Sequence, residues 1–542
     1  MPGPRSGLTA FWRDLDPGVR DRLLLGSCGQ RHLLDAARVA LSIDSPLAPS
    51  LVLASLAENP LDGALAAEIL SAPGLLSALP EPALPLLTAL SARWTRPEDV
   101  TAYEELAAGR DLAALRRFLE SRLDRESNLF WLNQAVSLAL FENDQDWLAA
   151  SLARPLPSAL APALEALRGQ AAFLRGDFGT AEVHYVSAAI LGPSILLRRG
   201  LCRKAWGDKA GALGMFLDCL GDAPWHATAA LLASEASGNG SRAPAPIPGS
   251  LVVLLYSWNK AAELDATLAA LFASDLGGAR VLALDNGSTD ATGEVLAAWA
   301  ERVGERLSRV DLPVNVGAAA ARNWLAALPE VRAADFALYL DDDAEVPPDW
   351  LGRLGAAVAQ WPDASAWGCR VVDHAGPWRI QAADLHPVLP EPPDPLRPDE
   401  FRLSDLHIQD LDMGQFTYAR PCVSVTGCCH LFRSATLARS GGFSLHLSPS
   451  QYDDVEHDLR LARSGGFAVY QGLLAVRHRK RTGAAGRTSR AEHGNALGNK
   501  FKMQAMHPRA EMEAMVRADR DCLLDDLLVR LAALPAPNKE HP

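Results

Sequence analysis

The chain has 542 residues, too many for one ordinary hydrophobic core, so two or three domains are expected. Apolar residues make up 49% and charged residues 22%, a composition that excludes wholesale disorder. The net charge of -13 argues against sequence-independent nucleic-acid binding, which relies on clustered Lys and Arg. A small phosphate ligand stays open, because a local cation, a metal or a helix N-terminus suffices for it.

The cysteines are Cys28, Cys202, Cys219, Cys369, Cys422, Cys428, Cys429 and Cys522. None has CxxC spacing, so reduced, mostly buried thiols are expected. The start, Met1-Pro2-Gly3-Pro4-Arg5, has no apolar run behind it and predicts no signal peptide. The most apolar stretch, residues 61–90, is broken by Glu68, Pro73, Pro80, Glu81, Pro82 and Pro85, so no transmembrane helix fits there. The reading is a cytoplasmic chain.

Residues 1–236 are rich in Leu and Ala at helical spacing and predict an all-helical region. Near its end, Gly176-Asp177, Ala181, Tyr185 and Pro193 recur 31 residues later as Gly207-Asp208, Ala212, Phe216 and Pro224. Each unit reads as helix, Gly-Asp turn, helix, Pro stop. The pattern, clearest over 168–236, resembles tetratricopeptide repeats, whose usual period is 34. Phe130 to Leu140 with Trp147 to Leu152 reads as a degenerate copy upstream. A plain helical bundle is the alternative.

Residues 237–249 are rich in Ser, Gly, Pro and Ala and read as a linker. The character then changes. Leu251-Val252-Val253-Leu254-Leu255 suits a strand buried on both faces, and Leu264, Leu268, Leu271 and Phe272 make a helical stripe. Val281-Leu282-Ala283-Leu284 reads as a second strand, followed by a helix capped by Ser288 or Thr289 that carries Val295, Leu296 and Trp299. Phe336 to Leu340 reads as a further strand. This order predicts a parallel α/β sheet with ligands beyond the carboxyl ends of its strands.

The polar residues at those ends come in an ordered set. Tyr256-Ser257-Trp258-Asn259 follows the first strand and Asp285-Asn286-Gly287-Ser288-Thr289-Asp290 the second. Asn315-Val316-Gly317 precedes Ala320-Ala321-Arg322-Asn323, and Asp341-Asp342-Asp343 precedes Pro347-Pro348-Asp349-Trp350. Together with Tyr452-Asp453-Asp454-Val455-Glu456-His457-Asp458-Leu459-Arg460-Leu461, this set resembles family 2 glycosyltransferases of the GT-A fold. The resemblance covers residues 250–498, and 499–542 read as a closing helical tail.

The resemblance implies a role for each motif. Three adjacent carboxylates repel, by about 4 kcal/mol for a pair ~4 Å apart at an effective dielectric of 20, and so favour a divalent cation, Mn²⁺ or Mg²⁺. Asp343 is the expected direct ligand, with Asp341 and Asp342 at the donor and Asp341 also reaching the metal. A solvated acidic turn is the alternative. His478 aligns with a family His that approaches the metal or diphosphate, and Arg477, Arg479, Lys480 and Arg481 read as a basic loop over the phosphates or a solvated turn. Asp285 is expected to read the base of a nucleotide sugar, a UDP-sugar by the family pattern. Tyr256 or Trp258 offers a stacking surface, although Trp258 can equally be core. Arg322 is expected on the diphosphate, or in a surface ion pair.

In register with the family's acidic motif, Asp454 is the catalytic base. Asp453 stands where the family has Glu, Glu456 where it has Asp, and His457 where it has an apolar residue; His457 is a second candidate base or a support for the helix. Gly427-Cys428-Cys429-His430-Leu431-Phe432-Arg433 and Gly441-Gly442-Phe443 match the acceptor-side segment, while the Pro-rich residues 387–398 have no counterpart. The function expected is inverting, metal-dependent transfer of a sugar to an acceptor hydroxyl. The helical half suggests a protein acceptor, since helix-pair stacks form concave binding surfaces. Lipid-linked or lipopolysaccharide glycans are the enzymatic alternative, and an inactive repeat-based interaction protein is the other.

Overall fold

The computed structural model describes residues 4–240, 243–479 and 490–535. It divides into two units: Met1–Ser237 with Gln409–Gln415 and Leu527–Pro542, and Gly238–Ile408 with Phe416–Asp526. Among the described residues no helix is long and apolar enough to cross a membrane. None of the eight cysteines forms a disulfide; seven are buried and Cys522 is half-buried.

The main run of the first unit is helical throughout. The repeated Gly-Asp pairs do two jobs. Gly176 and Gly207 take positive φ, 80° and 90°, where a side chain is disfavoured. Asp177 and Asp208 then cap the helices Phe178–Ser187 and Lys209–Asp222 through the N–H groups of Thr180 and Gly211. The same device recurs upstream with weaker sequence. Asn143 and Arg110 are left-handed, and Asp144 and Asp111 cap Gln145–Leu152 and Leu112–Arg125.

Packing explains the spacing. A Cβ on Gly169 would meet the Tyr185 ring at 2.8 Å, and one on Gly200 would meet the Phe216 ring at 2.4 Å. Each aromatic therefore lies directly on a helix backbone that must be bare there.

In the second unit a ten-stranded sheet forms the frame. Its strands are β1 (Leu251–Ser257), β2 (Arg280–Asp285), β3 (Leu307–Asp311), β4 (Phe336–Leu340), β5 (Ala344–Glu345), β6 (Ala366–Asp373), β7 (Ile380–Ala382), β10 (Ala419–Cys422), β11 (Cys429–Arg433) and β12 (Ala468–His478). The short β8 (Pro387–Val388) and β9 (Arg402–Leu403) pair separately. The sheet order is β10-β12-β6-β11-β4-β1-β2-β3, with β5 on β12 and β7 on β6.

The apolar runs of β1, β2 and β4 are buried on both faces, as expected for inner strands between helical layers. Leu264, Leu268 and Leu271 of the helix Ala261–Ala273 pack into the same core as Val253, Leu255 and Leu338. A second cluster joins Leu447, Val455 and Leu459 to Met503, Met512 and Met515 of the last two helices, Arg490–Met506 and Arg509–Ala533.

Two expectations are corrected, and one strand is additional. The sheet is mixed: β11 runs antiparallel to both β4 and β6, and β10 antiparallel to β12. Neither Ser288 nor Thr289 caps the helix Thr292–Val303, because both bond to Asn259 and the carboxylate of Asp290 receives the Thr292 N–H instead. The strand β3 falls in a stretch not read as a strand. Its alternating, half-exposed Leu-Ser-Arg-Val-Asp suits the sheet edge it occupies.

Residues from 243 onward in the supposed linker are packed against the helix Trp350–Gln360. The Ala245 N–H donates to Gly352 O, and the Ala245 carbonyl lies 1.9 Å from where a Gly355 Cβ would sit.

Candidate active site

Strand direction gathers the motifs. The strands β1, β2, β3, β4, β6 and β12 all run one way, so Ser257, Asp285, Leu340 and His478 end on one edge. The antiparallel β11 starts at that edge, with Cys429 opposite Leu340, and brings Thr426-Gly427-Cys428 there from the other direction. The Asp341 N–H donates to Cys428 O at 2.9 Å, and the Arg479 N–H donates to Asp343 O at 2.9 Å.

The three aspartates diverge from this anchored turn. Asp341 is partly exposed, while Asp342 and Asp343 are buried. Lys260 Nζ sits between the buried pair, 2.8 Å from Asp342 Oδ1 and 2.9 Å from Asp343 Oδ2. Burial pushes Asp342 up to about 6, against the pull of Lys260. Burial also opposes ionisation of Asp343, yet His478 and Lys260 outweigh it and hold that carboxyl well below its usual range.

His478 Nε2 lies 2.8 Å from Asp343 Oδ1 and 3.6 Å from Asp341 Oδ2, while Nδ1 pairs with Gln381 Oε1 at 2.8 Å. Asp343 Oδ1 is buried and forms no hydrogen bond. Burial opposes protonation of the imidazole, yet the Asp343 and Asp341 carboxylates beside it outweigh burial and raise His478. Oxygen and nitrogen donors facing each other in this way suit a shared cation.

The acidic motif reaches the same place. Asp453 and Asp454 open the helix Asp453–Arg463, and the Gly427 N–H donates to Asp454 Oδ2 at 2.7 Å. Asp453 Oδ2 pairs with Arg322 Nη1 at 2.8 Å, both side chains nearly fully buried. A Cβ on Gly427 would lie 2.5 Å from Arg322 Nη2 and 2.8 Å from Asp454 Oδ2. Behind this contact, Asp458 accepts from Ser424 Oγ at 2.8 Å and the Val425 N–H at 3.2 Å, and lies 3.2 Å from His430 Nε2. That buried network fixes the 424–430 turn to the helix.

The remaining predicted residues fall as follows. Tyr256 lies under the Arg322 guanidinium, 5.5 Å from ring centre to Cζ. Trp258 is 49% exposed, so its core-packing alternative is dropped and its face is free to stack. Asp285 is buried, with Oδ1 receiving the Ser288 N–H. Gly287 (φ 71°) must be glycine, since a Cβ would meet the Val314 backbone at 2.4 Å. Arg322 forms a buried ion pair and not a surface one. His457 turns away from the cleft, 2.8 Å from Ser440 Oγ and stacked on Phe443, and burial lowers it to about 3, helped by nearby cations. Its reading as a second base is withdrawn. Arg479 lies 3.5 Å from Glu345, and Lys480 and Arg481 fall outside the described residues.

Sequence reasoning overlooked Lys260, Gln381 and the thiol of Cys428. Lys260 had a signal, a lone cation directly after the first motif; Cys428 lay in the acceptor-side segment without a role for its thiol, and Gln381 carried no signal, being joined to the site only by strand pairing.

A turn of three aspartates and a separate acidic helix start, gathered at one edge of a mixed sheet, is the arrangement of the GT-A glycosyltransferase class. Residues 252–437 match the family model described as glycosyl transferase family 2, so the second unit carries a glycosyltransferase domain of that family. No curated protein matches the chain. Among solved structures it is similar to the crystal structure of GalNAc-T7 with UDP, GalNAc and Mn²⁺, at 14% identity and TM-score 0.39, over 49% of this chain and 50% of that one. It is also similar to the mannosyltransferase PcManGT from Pyrobaculum calidifontis in complex with GDP-Man and Mn²⁺, at 17% identity and TM-score 0.35, over 59% and 85% of the two chains. A third is S. aureus TarS, at 14% identity and TM-score 0.32, over 53% and 44%. The chain thus spans about half the length of the first and third of these.

Proposed function

We propose that the second unit transfers a sugar, with inversion at the anomeric carbon, from a nucleotide-sugar donor to an acceptor hydroxyl. The observation that carries this reading is the meeting of Asp454 and the Asp341–Asp343 turn across Gly427-Cys428. One edge then offers both a cation-holding carboxylate set and a separate proton acceptor.

Asp343, Asp341 and His478 would hold a divalent cation; the buried Asp343 Oδ1, 2.8 Å from His478 Nε2, fits one. Such a cation would supply positive charge for the departing diphosphate. Asp285 accepts from the base and Trp258 stacks on it. Asp454 takes the acceptor proton as the hydroxyl oxygen attacks the anomeric carbon. Arg322, fixed by Asp453 and by the Tyr256 ring, lends positive charge to the cleft wall and holds the acidic helix start in place. A UDP-sugar donor and a protein acceptor bound by the helical unit complete the proposal. The tetratricopeptide-like recurrence supports the acceptor assignment, because stacked helix pairs present extended surfaces to peptides.

Incubation with a panel of nucleotide sugars and Mn²⁺ tests it. Donor turnover is expected and should stop with EDTA; turnover unaffected by chelation removes the metal role. Asp454→Ala should abolish transfer and retain donor binding, whereas undiminished transfer by this variant moves the base elsewhere.

A further inference from the structure

Three side chains of different chemistry converge where the DxD turn meets β11. The carboxylate of Asp341, the thiol of Cys428 and the imidazole of His478 place one ligand atom each within 4.8 Å of one another. That is close to the ~4.6 Å spanned by two opposite ligand bonds of ~2.3 Å at one ion. The group comes from three separate strand ends, so neither an acidic cluster nor a local sequence motif accounts for it.

The thiol is held there by the fold. Cys428 O receives the Asp341 N–H, while Cys428 precedes the first residue of β11. The next residue, Cys429, faces elsewhere and hydrogen-bonds with Cys369, a neighbouring thiol on β6. Cys428 lies beside both that pair and the carboxylates of Asp341 and Asp343. A second observation also points to a cation: the fully buried Asp343 Oδ1 forms no hydrogen bond, although His478 Nε2 approaches it at 2.8 Å.

We propose that Cys428 is a ligand of the divalent cation, completing with Asp341 and His478 a mixed oxygen, nitrogen and sulfur site. The proposal rests on the reading of this edge as a cation site, and adds the identity of one ligand and a metal preference. On binding, the thiol proton leaves to solvent and the thiolate sulfur forms the metal bond. A sulfur ligand favours borderline and soft cations such as Co²⁺, Zn²⁺ and Cd²⁺, whereas a site of carboxylates alone favours Mg²⁺ or Mn²⁺.

Absorption spectroscopy of the full chain, freed of metal by chelator and titrated with Co²⁺, separates the possibilities. The wild type should show visible d–d bands together with a near-ultraviolet thiolate-to-cobalt charge-transfer band. Cys428→Ser should keep the d–d bands, lose the charge-transfer band, and bind Cd²⁺ at least about tenfold more weakly with little change for Mg²⁺. Wild-type d–d bands without charge transfer, or charge transfer surviving in the variant, overturn the sulfur ligand and leave the cation site standing. Absence of any d–d band overturns the cation site itself, and the proposal with it. The ¹¹³Cd resonance of the wild-type chain gives a check that needs no variant: it moves downfield with each sulfur ligand, and a position typical of oxygen and nitrogen ligands alone overturns the assignment.

Discussion

The backbone N–H of Gly427 donates to Oδ2 of Asp454 at 2.7 Å, and this contact joins the acidic helix to the turn beside the DxD motif. There is no room at Gly427 for a methyl group, which would lie 2.5 Å from Arg322 Nη2 and 2.8 Å from Asp454 Oδ2.

Gly427→Ala should therefore fold and yet lose transfer. The atoms displaced are side-chain ends, so the core stays intact, but a shift of ~1 Å in a base can cost ~100-fold in rate. Turnover falling about 100-fold at an unchanged melting temperature is the expected outcome; a rate within threefold of wild type would show that Asp454 needs no such placement.

Lys260 bridges Asp342 and Asp343, a single positive charge between two buried carboxylates. Removing it by Lys260→Met leaves two buried carboxylates facing each other, and should cost about 1–3 kcal/mol of stability in EDTA. Because a cation can replace the lost charge, Mn²⁺ should raise the melting temperature of the variant more than that of the wild type. Equal shifts in both proteins would separate Lys260 from the metal site. Thermal unfolding with and without Mn²⁺ makes the measurement.

His457 is buried, and burial with nearby cations lowers it to about 3. The unfolded chain binds its proton near pH 6.5 and the folded chain does not, so unfolding takes up a proton between these values. The stability associated with neutral His457 is complete above pH 6.5 and declines as pH falls toward 3. At pH 5 the loss should be about 2 kcal/mol. His457→Leu removes the titration, so its denaturant midpoint should fall less than that of wild type between pH 7.5 and 5. Parallel declines would mean that other groups set the acid sensitivity.

In the helical unit two glycines of the same type make opposite forecasts. Gly200 lies under the Phe216 ring, where a Cβ would be 2.4 Å away, whereas Gly214 has open space around it. Gly200→Ala should destabilise by about 1–3 kcal/mol through overpacking. Gly214→Ala should stabilise by about 0.5–1 kcal/mol, since the helix keeps its shape and the unfolded chain loses freedom. Urea unfolding decides both, and stabilisation by Gly200→Ala would contradict the ring-on-backbone packing.

Much of this molecule was legible in the chain itself. Continuous apolar runs, and apolar residues at period 3.6, report burial directly, so β1, β2, β4 and the helices between them could be read locally. The Gly-Asp turns at Asp177 and Asp208 were legible for the same reason, because a turn is a contact between near neighbours. The degenerate copies at Asp111 and Asp144 were partly hidden, since Arg110 and Asn143 take the left-handed turn without a glycine to mark it.

Long-range pairing was decided only in three dimensions. That β11 enters antiparallel between β4 and β6 depends on sheet register, which no local pattern encodes, and this insertion sets Cys428 beside Asp341 and Gly427 against Asp454. The ties of Arg322 to Asp453 across 131 residues and of His478 to Gln381 across 97 arise the same way. Motifs marked the polar groups that gather at this edge of the sheet. Burial and strand pairing selected their neighbours, because charge and hydrogen-bond partners are set by distance in space and not along the chain.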